Sequence, residues 1–559
     1  MKRILLVITC MIITLNSTAQ TWTWASAAGG RSGIDGATGI DRDAAGNTYV
    51  CGSFEGTRNF GGTAYTAVGL SDYFFSKFNS AGIHQWTVQL NGSGTNVLEA
   101  GGIAVDANGN IFISGNFSFN VILGGNTYFN PSGSYDGFIA KYSPSGIFIS
   151  SSHLSGPGSE RISAIETFGT DVYISGSYSQ AFSFGTISLS APAASYDDAF
   201  LIKMDNAGVG VWGVKGGGGN DDRALALSVS SNTIYWAGYF SSTANFGGTN
   251  LTAIGSGSDM FLVKLNSSGI QQWAMRYGGN FGQQFNGVSQ DPWGNAICTG
   301  NFYGTASFGT GFTITEAFGM APAGNGDAFI AKFNESNGSC SWLRQIKCIN
   351  GDNNEVSTAI STDSGGSSYI TGAFNLNTSF STNTSQTGTV LTTTGGKDAF
   401  IAKYSPTGTL LWVQKIGGVS NDQGMAVMWD ANGYCNIAGN FGGTITLGTT
   451  PAITASPGAV SMFIARYDGL TTGINTIENN LDFEVFPNPV IDVLNIHTAV
   501  ESPIQQVEIF NINGVKVYEE NNFSRTNELQ IRVTDLTPGN YFLHVYSGSF
   551  QGIKKIQVF

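Results

Sequence analysis

One short motif recurs along most of the chain and limits the folds open to it. Its clearest copy is Asp398–Trp412, which predicts two strands joined by a tight Ser-Pro-Thr-Gly turn. Successive copies are separated by 64, 62, 61, 68, 71 and 63 residues. The copies begin at Asp72, Asp136, Asp198, Asp259, Asp327, Asp398 and Ser461, where Ser replaces the usual Asp. Seven repeated units are therefore predicted.

Each unit supplies four predicted strands. Residues 102–115 exemplify the first two, which are joined by an Asp-x-x-Gly turn. The third strand starts at the marker Asp, a Lys or Arg follows five residues later, and the fourth strand usually contains a Trp. Four-stranded units repeated radially are β-propeller blades. One blade cannot bury both of its apolar faces, so neighbouring blades must stack.

The seventh unit lacks its fourth strand, and a spare copy lies at the other end of the chain. In Trp22–Gly30, Trp24 precedes Gly29 by five residues, as Trp412 precedes Gly417. The N-terminal strand can therefore complete the last unit. The sequence predicts an all-β chain whose main part is a seven-bladed β-propeller closed by an N-terminal strand.

The repeats resemble the bacterial β-propeller repeat called SBBP over about residues 22–468. The matching features are a Gly-Gly turn followed by an acid, Val-Asp-x-x-Gly-Asn, Tyr/Phe-Val/Ile-x-Gly and Asp-Ala-Phe-Ile-Ala-Lys. The chain departs from the pattern at Ser150, where Trp is expected, and at Ser461. The third, fourth and sixth units lack the Val-Asp-x-x-Gly-Asn turn. The resemblance implies an architecture and no activity.

Residues 1–19 have the pattern of a secretory signal peptide. Lys2 and Arg3 precede the apolar run Ile4–Ile13, and Ser17–Ala19 supply small residues for cleavage. The run is too short to span a bilayer, and no other stretch is long and apolar enough for a membrane helix. We therefore expect export and no transmembrane segment.

The C-terminal part of the chain loses the repeat. Short alternating strands and the hairpin signal Asn513-Gly514 predict a small Ig-like β-sandwich over residues 482–559. Residues 469–481 are polar and patternless, which is typical of a linker. The predicted order is signal peptide 1–19, propeller 20–468, linker 469–481 and sandwich 482–559.

The sandwich resembles the C-terminal sorting domain of type IX secretion cargo, the Por-system tail of Bacteroidetes. The resemblance rests on a Pro-Asn-Pro near its start, two glycine turns and the final Lys-Lys-Ile-Gln-Val-Phe. It implies the type IX machinery and its surface peptidase as partners, and a location outside the cell or on the outer-membrane surface. The implied sorting residues are Pro487, Asn488, Pro489, Gly514, Gly539, Tyr541, Lys554 and Lys555.

The charge of the chain disfavours two classes of partner. The net charge is -13, which disfavours nucleic-acid binding and docking on an anionic membrane.

Five cysteines follow Cys10. Cys340 and Cys348 flank one predicted strand, so their Cα atoms would lie about 25 Å apart, beyond disulfide reach. We expect all five to be free thiols.

The glycine-rich turns that follow the fourth strands carry acids and share one face of the disc with the long connections between second and third strands. These acids predict a cation or basic-ligand site near the channel mouth. The structural alternative is that each carboxylate accepts backbone N–H groups of its own turn. The candidate ligand-binding residues are Asp35, Glu160, Asp221, Asp222, Glu355 and Asp422.

No cofactor is expected, although two turns resemble parts of a calcium loop. Asp41–Asn47 and Asp106–Gly109 lack the remaining ligands and the bidentate Glu of a full loop. The isolated histidines do not form a zinc site, and no Gly-x-Ser-x-Gly motif is present.

These observations favour a secreted, non-catalytic binding module for a glycan or protein ligand. One alternative is an extracellular polysaccharide-active enzyme that uses carboxylates on the long-connection face, because such chemistry needs only two acids at the right separation. A structural cell-surface protein is the other alternative.

Overall fold

The chain divides into two compact units between residues 470 and 471. The signal peptide, the linker, Asp35 and Gly514 lie outside the described residues. The computed structural model describes residues 21–30, 36–92, 96–130, 134–154, 156–190, 196–316, 326–349, 355–381, 388–430, 433–448, 450–455, 459–468, 483–498, 503–511, 516–521, 526–547 and 550–559.

The described residues contain strands and turns and no helix, which confirms the all-β prediction. In the larger unit each repeat forms an antiparallel four-stranded meander. We number these meanders sheets 1 to 7. Their strands are Gly36–Arg42, Thr48–Phe54, Asp72–Phe78 and His84–Leu90 in sheet 1; Leu98–Val105, Ile111–Phe117, Asp136–Tyr142 and Phe148–His153 in sheet 2; Glu160–Phe168, Asp171–Tyr178, Asp198–Met204 and Gly210–Gly218 in sheet 3; Arg223–Val229, Ile234–Ser241, Ser258–Leu265 and Gln271–Tyr277 in sheet 4; Gln283–Gln290, Ala296–Phe302, Asp327–Phe333 and Cys340–Cys348 in sheet 5; Val356–Thr362, Ser368–Phe374, Asp398–Tyr404 and Leu410–Ile416 in sheet 6; and Asp422–Trp429, Tyr434–Gly442, Val460–Asp468 and Trp22–Gly30 in sheet 7.

The fourth strand of sheet 7 comes from the N-terminus, as the sequence predicts. Trp22–Gly30 runs antiparallel to Val460–Asp468, with Ala25 opposite Ala465. The backbone N–H of Asp468 also donates to the carbonyl of Thr21 at 2.9 Å. The first and last repeats therefore share one hydrogen-bonded sheet.

The long connections between second and third strands contain hairpins that the sequence analysis did not identify. Among the described residues, the hairpin of one sheet pairs with the fourth strand of the preceding sheet at six junctions. At the junction of sheets 7 and 1, Gly29 pairs with Asn59. The hairpins are Thr57–Phe60 with Thr63–Thr66, Asn120–Leu123 with Asn126–Phe129, Phe182–Phe184 with Ile187–Leu189, Thr243–Phe246 with Thr249–Thr252, Thr305–Ser307 with Thr313–Thr315, Asn377–Ser381 with Gly388–Thr392, and Thr444–Ile445 with Ile453–Thr454.

The repeated Lys and Trp join each sheet to the next. In sheet 4, Trp273 Nε1 and Lys264 Nζ both donate to the carbonyl of Glu335 in sheet 5, at 3.0 and 3.2 Å. Trp342 and Lys332 of sheet 5 bind the carbonyl of Pro406 in sheet 6 in the same way, at 3.0 and 3.3 Å. At these two junctions, the repeated Trp and Lys therefore satisfy one turn carbonyl of the next sheet.

The third-strand cations also form ion pairs with carboxylates of the first turn. Lys332 lies 2.7 Å from Asp291, and Arg466 pairs with Asp430. The third-strand cation of sheet 2, Lys141, makes no ion pair with Asp106 among the described contacts. Instead, the Asp106 carboxylate accepts the backbone N–H groups of Asn108 and Asn110, at 2.9 and 2.8 Å.

Every first strand carries a β-bulge opposite a glycine of the second strand. The unpaired bulge residues are Thr38, Gly101, Ser163, Leu225, Asn286, Thr358 and Met425. The bulge presses a backbone carbonyl onto the facing glycine. A Cβ at Gly372 would lie 1.9 Å from the carbonyl oxygen of Val356, and one at Gly176 would lie 1.8 Å from that of Arg161. The glycine of the Tyr/Phe-Val/Ile-x-Gly motif is therefore required by this close approach.

Replacing Gly372 with Ala should destabilise the larger unit by about 1–3 kcal/mol, because the added methyl group displaces the first strand of sheet 6. Chemical denaturation of the full chain measures this change in the free energy of unfolding. Gly219→Ala is the matched control, since a Cβ at Gly219 meets no atom within 4 Å. Equal stability of the two variants would contradict the explanation.

The smaller unit consists of two sheets that share one hydrophobic core. Phe483, Leu494 and Ile531 from one sheet pack in the same cluster as Val507 and Val545 from the other. This arrangement fits the predicted sandwich. The strands are Phe483–Phe486, Val493–Thr498 and Glu528–Arg532 in the first sheet, and Lys516–Asn521, Gln506–Asn511, Gly539–Ser547 and Phe550–Val558 in the second.

All five cysteines after Cys10 are free thiols, which confirms the sequence prediction. Cys340 and Cys348 are the two ends of one strand. Within the described residues, no helix has the length and hydropathy needed to cross a membrane.

Candidate functional site: the central channel and the acidic turns

The first strands of all seven sheets border one cavity of about 600 Å³. Each contributes its bulge residue, so the cavity wall repeats seven times with different side chains. Asn286 and Thr358 are polar members of this set, and their side chains bond to backbone carbonyls of the next sheet, at 2.9 and 2.7 Å. The bulges therefore hold neighbouring sheets together while they shape the channel.

The predicted acids Asp222 and Asp422 are buried and border no part of this cavity. Each carboxylate accepts two backbone N–H groups. Asp222 accepts from Gly218 at 2.7 Å and from Ser241 at 2.9 Å. Asp422 accepts from Gly418 at 2.8 Å and from Gly442 at 3.0 Å, which is the same arrangement three repeats later. Burial raises the pKa of both carboxyls to about 7, although these hydrogen bonds oppose the shift.

Other first-strand entries fill the same position with different chemistry. Gln283 in sheet 5 accepts the N–H of Gly279 at 2.9 Å and donates to the carbonyl of Tyr303 at 3.2 Å. The Glu355 carboxylate in sheet 6 accepts the hydroxyl of Thr378 at 2.8 Å. The predicted residue Asp221 lies beside this position and accepts the N–H of Asp197 at 3.1 Å. The neutral Gln283 shows that the position needs a hydrogen-bond acceptor for its turn and does not need a charge.

The marker Asp of the third strand in sheets 1 to 6 is a second buried carboxylate, and the opposing fourth strand usually supplies its partner. Arg276 lies 2.6 Å from Asp259, and Lys415 lies 3.4 Å from Asp398. In sheet 2 the residue at the corresponding position is His153, which pairs in register with Phe138. Among the described contacts, His153 makes no bond to the marker Asp136.

Asp136 and the predicted site residue Glu160 are therefore two buried carboxyls without a cation. Neither has a side-chain hydrogen bond to the described residues within normal geometry, although the N–H of Gly156 faces Glu160. Burial raises the pKa of Asp136 to about 7. Burial first, and the charge of Asp136 second, raise the pKa of Glu160 to about 8. This junction of sheets 2 and 3 is thus most stable with its carboxyls protonated.

Changing both carboxyls to amides (Asp136→Asn with Glu160→Gln) should raise the Tm at about pH 9 by roughly 2–4 °C and change it little at about pH 5. Both folded-state pKa values lie above the usual unfolded values. The stability that the pair contributes is therefore complete below the usual pKa values of 3.8 and 4.5, and it falls as the pH rises from there until it has passed the folded-state values of about 7 and 8. Thermal unfolding across this range measures the effect, with Asp205→Asn at a surface turn as control. A double variant that keeps the pH slope of the unchanged protein would contradict this account.

The turns that resemble calcium loops use their carboxylates on their own backbone. Asp43 accepts the N–H groups of Ala45 and Asn47 at 3.0 and 2.9 Å, and its second oxygen accepts the Asn47 amide. Among the described residues, no group of three or more His, Cys, Asp or Glu side chains lies close enough to hold a metal ion.

One carboxyl that borders the cavity, Glu166, and one that lies near it, Asp41, were not identified as ligand-binding candidates from the sequence. Glu166 borders the cavity, and burial followed by the charge of Asp41 raises its pKa to about 8. Asp41 accepts the N–H groups of Val105 and Arg42 at 2.6 and 2.7 Å, and burial raises its pKa to about 7. Both follow the last aliphatic residue of a first strand, where sheets 4 to 6 have Ser. Aligning the repeats by strand register would have identified both positions.

The described sorting residues join the start of the sandwich to its end. Asn488 donates to the carbonyl of Lys555 and accepts the N–H of Gln557, both at 2.9 Å. Pro487 and Pro489 flank it and are exposed, as is Lys555. The Pro-Asn-Pro motif therefore binds the last strand, which carries the final Lys-Lys-Ile-Gln-Val-Phe, so the two ends of the sandwich are hydrogen-bonded to each other.

The other described sorting residues hold a turn and cover the core. The Tyr541 hydroxyl donates to the carbonyl of Thr537 at 2.6 Å, across the turn that contains Gly539. Lys554 lies over the Phe483 ring at 5.2 Å from its centre. These contacts stabilise the smaller unit.

Comparison with known proteins gives two family matches and one curated relative. The secretion system C-terminal sorting domain family matches residues 484–558, and the β-propeller repeat family matches residues 85–116. The uncharacterized WD repeat-containing protein L264 of Acanthamoeba polyphaga mimivirus is 26% identical over 452 residues, which cover 67% of this chain and 32% of that protein. The chain thus spans about a third of the length of this relative.

Two solved structures show weak similarity. The phage phi92 endosialidase has a TM-score of 0.33 and 9% identity, and the match covers 96% of this chain and 77% of that one. A protein of unknown function from Bacteroides caccae has a TM-score of 0.24 and 11% identity, and covers 59% of this chain and 94% of that one. At these TM-scores neither structure informs the fold or the function.

The matched sorting domain implies interaction with the type IX secretion machinery and export from the cell. The repeat match agrees with the motif spacing and with the repeated four-stranded sheets. The chain therefore carries a type IX secretion sorting domain over residues 484–558 and a β-propeller repeat of the SBBP type at residues 85–116, and the sorting domain indicates export to the cell surface or the extracellular space.

Proposed function

We propose that residues 20–468 form a closed seven-bladed β-propeller that serves as a non-catalytic extracellular interaction module. Residues 469–481 are its linker, and residues 482–559 form an Ig-like sorting sandwich that a surface peptidase removes. Residues 1–19 are the signal peptide. The binding surface in this proposal is the face that carries the glycine-rich turns and the long connections.

Contacts between sheets 7 and 1 support closure. Ala37 N–H of sheet 1 donates to the Asn440 side chain of sheet 7 at 2.9 Å. Val50 and Phe74 of sheet 1 share a buried cluster with Ala438 of sheet 7. The Arg466 guanidinium of sheet 7 donates to the carbonyl of Ser80, which lies in the turn between the third and fourth strands of sheet 1. These contacts repeat the ones that join consecutive sheets.

A disulfide should form between Ala25→Cys and Ala465→Cys, because these residues are direct cross-strand partners. Mass spectrometry of the non-reduced secreted protein detects it as a loss of two hydrogens and a crosslinked peptide. Ala27→Cys with Ala465→Cys is the control, since Ala27 pairs with Phe463. Equal crosslinking of the two pairs, or none in either, would contradict closure by the N-terminal strand.

One observation carries the assignment to an interaction module: large apolar side chains are exposed at the junctions between sheets on the proposed binding face. Val419 is 71% exposed in the turn between sheets 6 and 7. Ile254 and Phe281 are exposed on either side of the junction of sheets 4 and 5. Ile349 and Leu376 are exposed at the junction of sheets 5 and 6. Exposed apolar side chains at neighbouring sites are typical of contact surfaces.

Changing Phe281 and Val419 to Ser should weaken partner binding at least about tenfold and leave the Tm within about 2 °C of the original value, since both side chains are exposed. Glycan arrays and pull-down of extracellular proteins first identify the ligand, and surface plasmon resonance then gives the Kd. Ile83→Ser with Ile147→Ser is the control, because these equally exposed residues lie in turns of the opposite face.

Two results would contradict the proposal. Binding that is lost only in the control variant would place the contact surface on the opposite face. Turnover of a polysaccharide by the purified protein would replace the interaction module with an enzyme. The acidic turn residues remain ligand-binding predictions, and their backbone contacts favour the structural alternative.

A further inference from the structure

The central channel combines an apolar ring with one carboxyl that has no partner. Seven aliphatic side chains, one from each first strand, border the cavity: Ile40, Ile103, Ile165, Leu227, Val288, Ile360 and Val427. Glu166 borders the same cavity and follows Ile165 directly. No hydrogen bond or ion pair joins its carboxyl to any part of the chain that the structure describes. It is also the one charged residue among those that border the cavity.

We propose that the channel binds a primary alkylammonium group, with the alkyl chain against the aliphatic ring and the ammonium nitrogen at the Glu166 carboxylate. The cavity volume of about 600 Å³ lies within the range of small-molecule sites. A charged carboxylate in such a setting is costly unless a cation pairs with it. An ammonium group supplies that charge and three N–H donors.

The rest of the channel favours one positive charge at one end of the ligand. The polar bulge residues Asn286 and Thr358 already bond to backbone carbonyls of the next sheet. Asp41 lies near Glu166 but does not border the cavity, and both of its oxygens already accept backbone N–H groups. An alkyl chain with a single ammonium group therefore matches the wall better than a diamine or a neutral alcohol.

The groups that face Glu166 determine how binding depends on pH. Sheet 1 contributes Asp41 and the adjacent Arg42, and sheet 3 contributes Tyr173, which pairs with Glu166 across the strands. Sheets 2 and 4 have the uncharged residues Ala104 and Ser228 at this level. Because burial raises the pKa of Glu166 to about 8, its carboxyl carries a proton near neutral pH. Binding of an ammonium ion must release that proton, so affinity should increase as the pH rises towards 8.

Isothermal titration calorimetry of the full secreted chain with n-hexylamine tests the proposal. We expect saturable binding that is at least about tenfold tighter than binding of n-hexanol, which has the same chain length without the charge. Titrations at about pH 7 in two buffers of different ionisation enthalpy should show release of a proton. Nα-acetyl-lysine amide is a parallel probe. Its binding would indicate a lysine side chain as the natural source, whereas binding of hexylamine alone would indicate a free amine.

Glu166→Gln should weaken hexylamine binding at least about tenfold and abolish the proton release, while the Tm stays the same or rises because a buried carboxyl is removed. Asp205→Asn, at a surface turn of the same sheet, should bind hexylamine as the original chain does. Equal affinity for hexylamine and hexanol, no binding of either, or full binding by Glu166→Gln would overturn the proposal. The Phe281 and Val419 variants should leave hexylamine binding unchanged, so this site and the proposed binding face are tested separately.

Discussion

The structure depends on the repeated bond between one sheet and the turn of the next. At the Glu335 and Pro406 carbonyls, the preceding sheet supplies an indole N–H and an ammonium group to the same oxygen. At other junctions a single Lys or Trp binds a turn carbonyl of the next sheet, as Lys77 does at Pro144 and Trp212 at Ser267. A hydrogen bond to a charged donor contributes more than a neutral one. Apolar packing has no preferred direction, so on its own it would let neighbouring sheets slide past one another. Because hydrogen bonds are directional, these contacts fix the angle and spacing of the sheets that they join.

The repeated motif also buries carboxylates, and each buried carboxylate needs a hydrogen-bond donor or a cation as its partner. Six of the seven repeats carry a marker Asp, and most of these carboxylates bind a backbone N–H group, an amide or a cation. Sheet 2 departs from this pattern, because its fourth strand has His153 where sheets 1 and 3 to 6 have Lys, Arg or Gln. Its Trp position is also occupied by Ser150. The sheet that departs from the motif at these two positions therefore also contains the unpaired Asp136.

The features that follow from the spacing of the repeat were predicted from the sequence. The hairpins and the β-bulges, which do not change that spacing pattern, were missed. The seven markers, the four strands per unit and the position of Trp22–Gly30 follow from spacing, because every copy must present the same face to its neighbour. The hairpins were missed because their strands are short and lie in connections of variable length. The bulges were missed because one extra residue shifts the alternation of side chains without changing composition.

In the candidate site, too, some features were predicted from the sequence and others were not. Burial of Asp222 and Asp422 was anticipated by the alternative that turn acids bind their own backbone. Glu166 was not identified, because it lies within an ordinary strand of a degenerate repeat and stands out only when the repeats are aligned by strand register. Its position matters only once seven first strands surround one cavity, which is a property of the assembled sheets.

The pairing of Trp22–Gly30 with Val460–Asp468 has a consequence for how the molecule is made. The earliest segment of the larger unit to be synthesised pairs along most of its length, from Trp22 to Ala28, with a strand that follows more than four hundred residues later. At its end, Gly29 and Gly30 pair with the nearby Asn59 and Arg58. A fragment that lacks Val460–Asp468 therefore leaves most of the N-terminal strand edge open, and open edges promote aggregation.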